Sequence, residues 1–169
     1  MPPALRKLVL AAHVTTSVGW LGAVAAFLAL AVAGLASHDT QMVRAAYLAM
    51  DLTAWAVIVP LSFASTLTGI VQSLGTSWGL FRQYWIVVKL IITLPSTGLL
   101  LVHMGPIDRA RDMAALMTLS GADLHGLRVQ LLIEAAVALL VLLLVTILSV
   151  YKPKGLTAHG ARRQLLQQV

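Results

Sequence analysis

Four apolar runs, residues 8–35, 44–74, 83–104 and 126–151, take up most of the chain. Each meets the roughly 20 residues that an α-helix needs to cross a bilayer. A backbone in lipid has to satisfy its own hydrogen bonds, so the runs read as helices. The predicted fold class is an all-α membrane protein, an antiparallel up-and-down bundle of four transmembrane helices. Composition agrees: 59% of the 169 residues are hydrophobic and only 11% charged, too little polar surface for a soluble domain. The first run is longer than the about 7–15 apolar residues of a secretory signal, and reads as a retained span. Residues 1–151 form one predicted domain and 152–169 a basic, mostly disordered cytoplasmic tail.

The surplus of 12 Lys and Arg over 6 Asp and Glu does not indicate nucleic acid. The bases are split among short connections and are not interleaved with stacking aromatics. Membrane orientation explains them. Segments 1–7, 75–83 and 151–169 hold Arg6, Lys7, Arg82, Lys152, Lys154, Arg162 and Arg163 with no acid, whereas 36–44 and 105–128 hold four bases against four acids. Both termini are therefore expected in the cytoplasm of a bacterial cell, with the chain multi-pass in its cytoplasmic membrane. Trp78, Phe81, Tyr84 and Trp85 read as an interfacial aromatic belt. Pro60 predicts a kink over Trp55 to Pro60, and Pro95 bends the third span. Ile107, Ala110, Ala114 and Met117 predict an amphipathic helix over 107–119. Gly19 and Ala23 form a small-xxx-small pair that predicts close helix approach and a homodimer. With no cysteine in the sequence, disulfides, thiolate zinc sites and iron–sulfur clusters are excluded.

The third run, YWIVVKLIITLPSTGLLLVHM from Tyr84 to Met104, is the hardest to explain as lipid-facing surface. At about 100° and 1.5 Å per residue, Lys89, Thr93, Ser96 and His103 fall along one stripe. Ionisable groups inside a span are costly and usually face a protein interior. Counting inward from the flanking charges gives two levels. His13 and Lys89 share one, about 9–10 Å inside the cytoplasmic face. Asp51 and Glu134 share a similar depth from the other face, with His103 somewhat nearer the surface.

The inner set, His13 with Ser17, Trp20 and Lys89, suits a haem: a neutral imidazole as axial ligand, aromatic walls, and Lys89, Arg82 or Arg6 for the propionates. The outer set, Asp51, His103 and Glu134, suits a divalent ion such as zinc, iron or manganese. Met50 and Met104 lie beside two of these residues but point about 100° away, which supports copper less well. Both sets are equally consistent with hydrogen-bonded packing, and Lys89 with snorkelling to the interface. There is no HExxH spacing, phosphate loop, or nucleophile with its base.

HVTTSVGWLGA, His13 to Ala23, resembles the first-helix pattern of copper-resistance D-type proteins and of four-helix protoporphyrinogen oxidases of the HemJ type. WIVVKL, Trp85 to Leu90, resembles the opening of their third helix. The chain as a whole, including WGLFRQYW and the LSVYKPKGLT ending, looks most like an uncharacterised set of small actinobacterial four-span membrane proteins. The resemblance implies haem binding with His13 and Lys89 at the matching histidine and lysine. The Arg and Tyr-His continuation of the enzymes is replaced here by LGAVAAFLAL, so protoporphyrinogen oxidation itself is not implied. The expected function is a b-type, cytochrome-like membrane redox protein, with His13 and His103 as candidate ligands in opposite leaflets, assisted by Trp20 and Lys89. The alternatives are a divalent metal binding or permeation protein using Asp51, His103 and Glu134, and a non-catalytic membrane partner subunit.

Overall fold

The computed structural model describes residues 1–75, 83–115 and 122–151. The expected belt residues Trp78 and Phe81, Arg82, Met117 and the tail 152–169 lie outside the described residues. The elements, all helical, are α1 (Pro3–Ala36), α2 (Thr40–Thr53), a π-helical turn (Ala54–Ile58), α3 (Val59–Gly75), α4 (Tyr84–Val102), α5 (Met104–Ala115) and α6 (Ala122–Tyr151). Four helical stretches, Pro3–Ala36, Thr40–Gly75, Tyr84–Ala114 and His125–Tyr151, are long and apolar enough to cross a membrane.

The helix boundaries follow local chemistry. Asp39 caps α2, its Oδ1 accepting the Gln41 N–H at 3.0 Å and so occupying one of the donors a helix start leaves open. Where a kink is expected, at Trp55 to Pro60, the helix carries the π-helical turn Ala54–Ile58. Pro60 has no N–H, and its ring would collide with the carbonyl four residues back in a regular α-helix. Widening the turn relieves the clash: the Val59 N–H reaches back five residues to the Ala54 carbonyl. Pro95 is instead held inside α4. Around it Thr93, Ser96 and Thr97 donate their hydroxyls to the Lys89, Ile92 and Thr93 carbonyls.

α1 is the hub of the fold, packing on α3 most extensively and then on α6 and α2, while α4 packs on α3 and α6. Between helices in lipid there is no water to expel, so close approach of small residues does the work. Gly19 is one such point. A Cβ there would meet Leu61 Cδ1 at 3.2 Å, and Ala23 is buried. Gly19, one member of the pair read as a dimer face, thus meets α3 within the chain. At Gly34 an added Cβ would come within 2.9 Å of the Tyr47 ring, which is itself buried. The amphipathic helix expected over 107–119 is observed as α5, with Ile107, Ala110 and Ala114 buried as the spacing demands. Among the described residues many large apolar side chains of the long helices are exposed, whereas Ser62, Ser65 and Thr97 are buried. That inversion suits a bundle whose solvent is hydrocarbon.

Candidate functional site

A cavity of about 560 Å3 lies among α1, α3, α4 and α6, drawing on the first turns of α1 and α4 and the last turns of α3 and α6. Its size is within the about 300–1,000 Å3 typical of cofactor and ligand sites. His13, Ser17, Trp20 and Lys89, grouped by depth in the sequence, all line it.

His13 is held by α3. Its Nδ1 lies 3.1 Å from the Ser65 carbonyl and 3.2 Å from the Thr68 hydroxyl. A carbonyl only accepts, so Nδ1 carries the proton and Nε2 keeps a lone pair. Nε2 has no hydrogen-bond partner among the described residues and is not sealed off by packing. Space for the ring comes from Gly69, where a Cβ would stand 3.0 Å from His13 Cε1. Alongside, the Ser17 and Ser65 hydroxyls lie 2.7 Å apart and tie α1 to α3 at the same level.

Lys89 enters from α4. Its Nζ donates to the Ser149 hydroxyl of α6 at 2.6 Å and stands 6.0 Å from the Trp85 ring centroid. Ser149 in turn donates to the Val145 carbonyl. The ammonium is thus fixed at the cavity wall by a hydroxyl and an aromatic face. Arg6 adds a second cation at the rim, and no Asp or Glu is among the described lining residues. Thr93, the next member of the α4 stripe, also lines the cavity, while Ser96 turns back on its own helix.

The second predicted set comes together only in part. His103, at the end of α4, donates from Nδ1 to the Leu99 carbonyl at 2.7 Å, and its Nε2 lies 3.2 Å from Glu134 Oε1. Gln130 donates to the same carboxylate oxygen at 2.7 Å. Asp51 does not join them. It is directed to α5, with Oδ2 3.8 Å from Arg111, while Asp108 takes the Trp55 indole N–H and Asp112 also binds Arg111. Among the described residues no three His, Asp or Glu side chains gather as a metal site. The expected Asp51, His103, Glu134 centre is therefore, among the described residues, a His–Glu pair and a separate cluster in which Arg111 of α5 stands beside Asp51. His103 does not line the cavity, so the two histidines expected as ligands serve different surroundings.

Three contributors escaped the sequence reading. Gly69 is one, and its spacing from Ser65 marks the face that His13 meets. Ser149, three residues before Lys152, is only about 4–5 Å inside by the same count, and the long Lys89 side chain reaches toward the interface to meet it. Gln72 lines the cavity with Oε1 buried and without a hydrogen-bond partner among the described residues; its place two turns beyond Ser65 was the available signal. Compared with protein-family models, curated proteins and solved structures, the chain matches none.

Proposed function

We propose that this chain is a haem-binding redox protein of the bacterial cytoplasmic membrane, with one b-type haem in the cavity and His13 Nε2 as its protein ligand. The observation that carries the reading is the His13 tautomer: the Ser65 carbonyl holds the proton on Nδ1 and leaves Nε2 open beside a cofactor-sized cavity. Histidines that ligate metals generally have their other nitrogen held in this way. The residues present fit the group. Trp20, Trp85, Ile86 and Leu142 give the cavity apolar walls, and Arg6 and Lys89 supply positive charge for the propionates with no opposing carboxylate among the described lining residues.

When bound, haem supplies reversible one-electron exchange at its iron. The protein's part is to orient the imidazole through α3, to neutralise the propionates and to keep bulk water from the ring. We also read the four spans as an antiparallel up-and-down bundle with both termini cytoplasmic. A cavity fed by the starts of α1 and α4 and the ends of α3 and α6 is expected of successive spans that run in opposite senses, and the acid-free basic segments orient it.

The deciding experiment is the visible spectrum of the detergent-solubilised protein, oxidised and reduced, before and after adding hemin. A Soret band that shifts on reduction and is lost in His13→Ala is the expected result. No band in the native protein even with hemin, or an unchanged band in His13→Ala, overturns the proposal.

A further inference from the structure

The described residues that line the cavity divide by exposure. All those from α3 and α4 are buried or half-buried, whereas every exposed one belongs to α1 or α6: Arg6, Leu10, Val14 and Val18 on the first, Thr146 and Val150 on the second. Val18 is 63% exposed and Val150 72%. The opening is therefore a seam flanked by these two helices. Apart from Arg6 at the rim, its lips sit within membrane-spanning helices and are apolar but for Thr146, so the seam faces acyl chains. Behind the lips the ionisable groups are His13 and Lys89, the latter fixed on Ser149, and Arg6 adds a cation at the rim. An apolar entrance leading to a cationic interior selects for a molecule that is greasy along most of its length and anionic at one end.

We infer that the cavity is loaded sideways, through the seam between α1 and α6, by a carboxylate-bearing amphiphile already dissolved in the bilayer. The inference deepens the proposed haem site, whose cavity it shares. Haem, an apolar plane with propionates, is one such amphiphile, and a free fatty acid is another.

The test uses the full chain in phosphatidylcholine vesicles, with Trp55, Trp78 and Trp85 replaced by Phe. Trp20, 6% exposed and lining the cavity, is then the sole indole emitter. A dibrominated stearate quenches indole only near contact. It is expected to quench Trp20 saturably, while dibrominated phosphatidylcholine, with no net charge, gives only a weak loss that does not saturate. Val18→Phe combined with Thr146→Phe narrows the seam at two lipid-facing positions and slows quenching by about fivefold. Leu94→Phe, exposed on α4 and away from the cavity, leaves the rate unchanged.

Hemin loading from preloaded vesicles, read by the Soret rise in the native chain and in the same seam and control variants, forms the second arm. Seam dependence for hemin alone assigns the entrance to the porphyrin, and seam dependence for the stearate alone assigns it to acyl carboxylates; either supports lateral entry. If the seam variants match Leu94→Phe with both probes, lateral entry is overturned. Haem bound through His13 with no seam dependence leaves the haem site standing and removes only the entrance. Saturable, seam-dependent quenching in a protein that never gains a Soret band removes the haem and keeps the entrance.

Discussion

At the scale of single residues, the site depends on what holds His13. Its partner on α3 is a main-chain carbonyl, so replacing the Ser65 side chain cannot remove the hydrogen bond that sets the tautomer. The sensitive position is Gly69. Gly69→Ala places a methyl 3.0 Å from His13 Cε1 and forces the ring aside, at a cost on the order of 1–3 kcal/mol. Hemin titration is expected to show affinity weakened by about tenfold while the protein stays monodisperse in detergent. The opposite result is expected at the other histidine. The His103 and Glu134 side chains are 29% and 23% exposed, and partly exposed pairs are worth only about 0–1 kcal/mol. His103→Ala and Glu134→Ala should each leave the haem spectrum unchanged and shift the melting temperature only slightly. Depth along each helix, which the sequence does give, was enough to bring His13 to Lys89. It could not show which way Asp51 turns, because that depends on Arg111, and α5 places Arg111 beside it only once the chain has folded.

At the scale of elements, the π-helical turn before Pro60 fixes the register of everything after it. A turn closed five residues back holds one residue more than an α turn. Downstream positions, Ser65 and Gly69 among them, are thereby rotated by about 100° relative to α2 compared with an unbroken α-helix. Deleting Ala56, an exposed residue of the wide turn, should restore an α turn there and keep the later helix face in place, at some stability loss from Pro60. Deleting Phe63, also exposed, has no spare residue to absorb it. Ser17→Cys with Ser65→Cys reports the difference, since the parent hydroxyls are 2.7 Å apart and the chain has no other cysteine. The disulfide is expected to form with Ala56 deleted and to fail with Phe63 deleted. Proline chemistry made the position of this irregularity legible in the sequence, and helical spacing did the same for α5. That the irregularity would be a π turn was not legible, since a kink, a break and a widened turn all answer the same missing N–H.

At the scale of the whole molecule, four spans were legible from hydropathy because length and apolarity are the properties a bilayer demands; their ends lie within five residues of the observed stretches except the third, which continues to Ala114 through α5. Which helix sits against which was not readable, since lipid-facing and helix-facing surfaces are equally apolar. Orientation has a direct check. In intact cells Ser37→Cys, in the turn between α1 and α2, is expected to react with a membrane-impermeant maleimide, and Pro2→Cys to react only after lysis. Labelling of Pro2→Cys in intact cells would reverse the assignment of sides. The central place of α1 also bears on biosynthesis. The carbonyl that engages His13 lies 52 residues further along the chain, and the hydroxyl that engages Lys89 lies 60 residues beyond it. As the ribosome works from the N-terminus, each polar group reaches the insertion machinery well before its complement has been translated. Nascent α1 must therefore be sheltered at the translocon until α3 emerges, and a product truncated ahead of α3 offers the quality-control proteases an imidazole with nothing to hold it.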